Sequence, residues 1–263
     1  MTILFRNTMI TLGIVIGFVI FGGSVLTVIN ITPLVNLAQQ TVLKQQLILN
    51  GCIVLFLILF VLISAIILRI YFSKTLAPEM FFFTIFLLTF SFEALRVVMF
   101  YIELTSAPFF FGILVTKAVH FGRFLRVFSV FVSGLFACST TNPKTGTFLG
   151  IGTVLAFAYA GGIPIDATRQ SFDFFYHSGF SQIIDFIFLG VQLISVLNFI
   201  LAGILKNTSD YYVMTVGLFF TILGGEFIVM FPEKIYLAAA GAVCMVGGTV
   251  LFSRRTHELY LWE

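Results

Sequence analysis

Eight ionisable side chains stand inside apolar stretches of this sequence: Glu93, Arg96, Lys117, His120, Arg123, Arg126, Asp185 and Glu226. Carboxylates, guanidinium groups and imidazoles so placed bind charged ligands, relay protons or neutralise one another. In a bilayer each ionised group costs about 2.5–3.5 kcal/mol on insertion scales, so such groups usually face a bundle interior or a wet cavity. Leaving His120 aside, four are cationic and three anionic, so mutual neutralisation is nearly complete. Asp185 shares a helical face with Gln182, Gln192 and Ser195, a polar stripe that can also serve interhelical hydrogen bonding.

The stretches that must position these groups are unmistakable. Of 263 residues, 60% are hydrophobic, and the 35 phenylalanines outnumber the 25 charged residues (14 basic plus 11 acidic). A soluble domain is about one-quarter charged, so the composition excludes a soluble enzyme, a disordered chain and a nucleic-acid binder. Runs of spanning length fall at roughly 9–29, 49–72, 79–101, 109–137, 147–163, 180–205, 211–231 and 235–253. Turn formers or prolines separate them, among them Pro78, Pro108, Pro143 and Pro232. The expected fold is an all-α polytopic bundle of eight transmembrane helices, one plus seven, forming a single transmembrane domain over 1–263 with no soluble domain.

The first run follows Arg6 but is too long for a signal-peptide core, so it reads as an uncleaved helix. With the N-terminus inside, Arg6, Arg69, Lys74, Lys144, Lys206, Arg254 and Arg255 lie on the cytoplasmic side, against Lys44, Arg169 and Lys234 outside. This bias puts both termini in the cytoplasm, with Arg254–Glu263 as a short tail. Outside, Ile31–Leu47 reads as a short interfacial helix. The segment 163–180 mixes Asp166, Arg169, Asp173 and His177 with aromatic residues, the composition of a headgroup-level segment or lid.

At 1.5 Å of rise per residue, Glu93, Arg96, Lys117, Asp185 and Glu226 all fall in the outer half of the bilayer, about five to eight residues from the outer ends of their spans. His120 lies just below, and Arg123 and Arg126 continue inward. These residues are expected to share one polar pocket opening outward beneath the 163–180 segment. The principal candidates are Glu93, Arg96, Lys117, His120, Asp185 and Glu226. Secondary candidates are Arg123, Arg126, Gln192, Asp166, Arg169, Asp173 and His177. The competing reading is an ion-pair network that only fixes packing.

In spacing alone, Lys117-Ala-Val-His-Phe-Gly-Arg-Phe-Leu-Arg126 resembles the gating helix of voltage-sensing domains. A strict three-residue step drifts about 60° around the helix each time, so Lys117 and Arg126 point in nearly opposite directions, and no pore helix or filter follows. Small-residue faces for close packing occur at Gly13/Gly17, Gly146/Gly150 and Ala240/Cys244/Gly248. Gly224-Gly225, just before Glu226, reads first as close packing, with a loosened helix beside a charge as the alternative.

The sequence has no H-E-x-x-H, G-x-S-x-G, P-loop or dinucleotide fingerprint. Three separated cysteines and three histidines on different levels offer neither a disulfide framework nor a metal centre. No catalytic residue, metal or cofactor is therefore expected. The leading functional reading is a receptor-like, ligand-sensing or solute-binding protein. It takes a small polar or charged ligand from outside and acts with a protein partner at its cytoplasmic loops or C-terminal tail. A secondary transporter or proton-coupled carrier is the alternative, and a non-catalytic subunit of a membrane complex the next. The expected partner for the bulk of the surface is the lipid bilayer, with no nucleic acid. The expected location is the bacterial inner (plasma) membrane, because the one-plus-seven arrangement resembles that of bacterial sensor modules.

Overall fold

A computed structural model of the protein describes residues 3–37, 41–72, 77–105, 107–139, 144–170, 175–179, 181–231 and 234–261; the side chains of 33–37, 41–48, 168–170, 181–182 and 261 lie outside the described set. The elements are α1 (Ile3–Leu37), α2 (Thr41–Tyr71), α3 (Pro78–Thr89), a 3₁₀ segment (Phe90–Ala94), α4 (Leu95–Leu104), α5 (Phe109–Cys138), α6 (Thr145–Gly162), β1 (Ile165–Gln170), β2 (Tyr176–Ser178), α7 (Ser181–Lys206), α8 (Asp210–Met230) and α9 (Ile235–Leu261). Taking α3 through α4 as one rod, eight helical spans are long and apolar enough to cross a membrane. This is the architecture of a multi-pass membrane protein.

The burial pattern is that of a protein turned outward to hydrocarbon. Val19, Phe186 and Val243 are 70%, 77% and 74% exposed, while Glu93 and Arg96 are each only 2% exposed. In water such a surface would be one continuous aggregation patch; in a bilayer it is the ordinary solvent-facing side. The third span lies at the centre. Its Phe81, Phe82, Phe83, Phe86 and Phe90 are fully enclosed, with Phe83 stacked 4.2 Å from Phe252 of α9 and Phe82 5.3 Å from Phe136 of α5. The phenylalanine surplus therefore fills the bundle interior as well as coating its outside.

The closest helix pair is α8–α9. A Cβ placed at Gly248 would lie 2.5 Å from the Gly217 carbonyl oxygen and 2.6 Å from the Thr221 nitrogen, and one at Gly224 would strike the Gly241 carbonyl. The small-residue face of the last helix is thus Gly241/Gly248 with Met245 between. It corrects the expected stripe at 240/244/248, since Ala240 is exposed and Cys244 only half-buried. Gly224-Gly225 serves close packing, and α8 is unbroken there: Gly224 faces α9, and Gly225 makes room for the Phe90 ring. Gly13 and Gly17 do pack closely, against Leu88 and Leu62, whereas Gly150 has nothing near it.

Two terminal expectations are corrected. Among the described residues of 31–47 there is no separate interfacial helix, because 31–37 prolongs α1 and Thr41 already opens α2. Extending an existing helix costs less than nucleating a new one. The C-terminal tail likewise continues α9 to Leu261. Arg254 and Arg255 pair with Glu258 at 3.0 and 2.7 Å, and Tyr260 Oη donates to Glu79 Oε1 at 2.5 Å. Glu79 is almost wholly buried, so Tyr260→Phe should cost about 1.5–3 kcal/mol, the usual worth of a hydrogen bond to a charged group. That is measured as a lower unfolding midpoint of the solubilised protein. An unchanged midpoint would show that the tail is not anchored there.

Candidate functional site

The site begins with the irregular stretch of the third span. In a 3₁₀ helix side chains at i and i+3 eclipse, so Phe90 and Glu93 stack on one face and Arg96 follows them. A hydroxyl competes for the backbone just before the break, where Thr89 Oγ1 donates to the Phe86 carbonyl at 2.6 Å. Glu93 and Arg96 are thereby aimed, with the arginines of α5, at the bundle centre.

Glu93 is the hub. Arg123 donates to it in a bidentate fork, Nε to Oε1 at 3.0 Å and Nη2 to Oε2 at 3.2 Å. Arg96 Nη2 donates to Oε2 at 3.4 Å, and Arg126 Nη1 stands 3.6 Å from Oε1. Arg126 Nη2 also lies 3.9 Å from Glu226 Oε1, which accepts from Gln192 Nε2 at 2.9 Å. Aromatic faces finish the solvation of the cations. Phe90 lies 4.4 Å below the Arg126 guanidinium, and Phe175 covers Arg123 and Arg96 at 5.7 and 6.0 Å. Glycines admit these rings: a Cβ at Gly122 would strike Phe92, and one at Gly112 would lie 2.7 Å from Tyr176.

In front of this cluster lies a cavity of about 320 Å³ with walls of opposite sign. His120, Arg123 and Arg126 of α5 line one side; Asp185 and Gln192 of α7 and Glu226 of α8 line the other. The β1–β2 hairpin caps it with Phe175, Tyr176 and His177, and α6 contributes Tyr159. The hairpin is antiparallel, Asp166 opposite His177 and Ile165 opposite Ser178. Tyr159 Oη and Arg126 Nε are buried without a hydrogen-bond partner among the described residues. Buried polar atoms normally have one, so both are available to something placed in the cavity.

Three of the principal candidates are distributed differently from the expectation. Glu93 and Arg96 sit behind the cavity and do not line it; they hold the arginines that do. Lys117 is separate: its Nζ donates at 2.9 Å to the Gly161 carbonyl in the last turn of α6, where a cation complements the helix C-terminus. The 60° drift of the three-residue step turns Lys117 toward α6 while Arg123 and Arg126 face inward. The latter two, placed second by depth, are the central cations. His120, Asp185, Glu226, Gln192 and His177 meet at the cavity. Asp166 stands in β1, and the Arg169 side chain and Asp173 lie outside the described residues.

Tyr159, Phe175 and Phe90 were not singled out by sequence, because an aromatic residue in an aromatic-rich apolar run carries no signal of its own. Glu79, at the opposite end of the third span, was also passed over; its position at a span boundary looks like a solvated end. Among the described residues no group of three or more His, Cys, Asp or Glu side chains is placed to hold a metal ion. Comparison of the chain with protein-family models, with curated proteins and with solved structures finds no match.

Proposed function

We propose that the protein binds a small dipolar ligand in the cavity between α5, α7 and α8 and acts as a ligand-sensing or solute-binding membrane protein. The observation that carries this reading is the division of charge across the cavity. Arg123 and Arg126, with His120 beside them, face the carboxyl groups of Asp185 and Glu226, a polarity that fits a molecule bearing an acidic group at one end and an ammonium at the other. On the expected orientation the hairpin-capped mouth faces outward, in a bacterial inner membrane, and the signal leaves through a partner at the cytoplasmic loops or the C-terminal end of α9.

Purified protein in lipid nanodiscs, titrated with phosphoethanolamine and with zwitterionic amino acids, should show a rise in unfolding midpoint. Asp185→Asn, at an exposed cavity-lining position, should weaken the ligand about tenfold, the usual worth of a charge-assisted bond. No stabilisation by any dipolar compound would sink the reading.

Transport is the second reading, and the 3₁₀ break beside Glu93 is the feature that favours it, since interrupted helices accompany ion and substrate sites in carriers. Uptake into proteoliposomes that is abolished by Glu226→Gln would establish it. Stabilisation without uptake supports sensing.

A further inference from the structure

The charged cavity adjoins an apolar groove of about 170 Å³ between α7 and α8. Leu189, Gln192, Glu226 and Met230 belong to both. Beyond them the groove is walled by residues such as Leu193, Phe219 and Leu223, and it exposes no polar surface. Leu189, Leu193, Phe219 and Met230 are 43%, 48%, 39% and 49% exposed, so the groove opens sideways on the hydrocarbon-facing side of the bundle. The Gln192–Glu226 hydrogen bond marks the change from charged to apolar lining. Where α8 meets α9, glycine faces exclude any such gap; between α7 and α8 one is left next to the charged chamber.

A cavity for a dipolar group with a lipid-facing apolar slot along its shared wall matches the two parts of an amphiphile. Resting on the cavity reading above, we infer that the ligand is a phospholipid whose head carries both a phosphate and an ammonium group. Its phosphate lies against Arg123, Arg126 and His120, its ammonium against Asp185, and one acyl chain leaves through the α7–α8 groove. The charge complementarity selects the head, and the shared wall residues connect the head to the chain. The lipid enters laterally from the bilayer, and the hairpin closes over the head.

Three probes separate the parts of this inference: dioctanoyl phosphatidylethanolamine, dioctanoyl phosphatidylglycerol without the ammonium, and water-soluble glycerophosphoethanolamine without the chains. Each is titrated into detergent-solubilised protein against unfolding midpoint, with native mass spectrometry reading the stoichiometry. The phosphatidylethanolamine should bind one-to-one and on the order of tenfold or more tighter than glycerophosphoethanolamine, because several methylenes leave water. It should also bind tighter than the phosphatidylglycerol, a preference that Asp185→Asn removes. Leu193→Trp fills the groove from its lipid-facing edge. It should bring the phosphatidylethanolamine down to the level of glycerophosphoethanolamine while leaving glycerophosphoethanolamine binding unchanged. Phe219→Trp, at a second exposed position that lines the groove and not the cavity, should do the same if Leu193→Trp folds poorly.

Equal binding of lipid and head group, or tight lipid binding indifferent to both tryptophan variants, would overturn the amphiphile inference while leaving the cavity reading intact. Binding of none of the three probes, alongside stabilisation by an amino acid, would also overturn it. Failure of every dipolar compound would remove the cavity reading and this inference together.

Discussion

Glu93→Ala should be the most damaging substitution in the polar centre, with a loss of about 3–5 kcal/mol of folding stability, the usual effect of removing one partner from a buried ion pair. Glu93 pairs with Arg96 at 3.4 Å, with Arg123 at 3.0 Å and with Arg126 at 3.6 Å. The Glu93 and Arg96 side chains are each 3% exposed and that of Arg126 is 5%. Without the carboxylate, three guanidinium groups crowd one another in a region where water reaches only from the cavity side. Arg123→Ala should cost less, about 1–3 kcal/mol, because Glu93 keeps two cations. The double variant Glu93→Ala/Arg123→Ala should lose less than the sum of the singles, since removing one cation relieves part of the repulsion left by the other change. Equilibrium unfolding of the solubilised protein measures all three. A strictly additive result would show that the fork between Arg123 and Glu93 carries no coupling, and the hub would have to be abandoned.

The second large effect is set by one glycine and its immediate neighbour. Gly248→Ala should destabilise the α8–α9 pair by about 1–3 kcal/mol, the usual cost of overpacking. The added methyl would lie 2.5 Å from the Gly217 carbonyl oxygen and 2.6 Å from the Thr221 nitrogen, and backbone atoms cannot rotate away. Gly247→Ala, one residue earlier, meets nothing within 4 Å. It should be neutral or raise stability by up to about 1 kcal/mol through helix propensity. Adjacent positions on one helix thus have opposite signs, measured as shifts in unfolding midpoint. Equal effects at 247 and 248 would show that α8 and α9 do not approach on this face.

The number of spans was legible because its cause is local. A run of about 20 apolar residues is read from sequence without knowing its neighbours, and Pro78 indeed opens α3 at its first position. That charged groups inside such runs must turn inward is legible for the same reason, since each carries its own insertion cost. The continuation of α9 through Arg254–Leu261 was less visible. Its cause, the Tyr260 bond to Glu79, joins positions 181 residues apart.

Depth along a helix follows from counting residues, and it placed Glu93, Asp185 and Glu226 near one level. Rotation about the helix axis and the choice of neighbouring helix do not follow from counting. They are decided where Gly122 admits Phe92, where Gly225 admits Phe90, and where the 3₁₀ segment swings Glu93 toward Arg123. For that reason Lys117 went to the end of α6 while Arg123 and Arg126 took the centre. By itself the sequence determined the surrounding solvent, the eight spans and the need to hide the buried charges, because hydropathy and insertion cost are properties of single segments. Only the tertiary structure decided which charges pair, which ones face the cavity and that an apolar groove adjoins it. Those outcomes depend on close contacts among residues far apart in the chain.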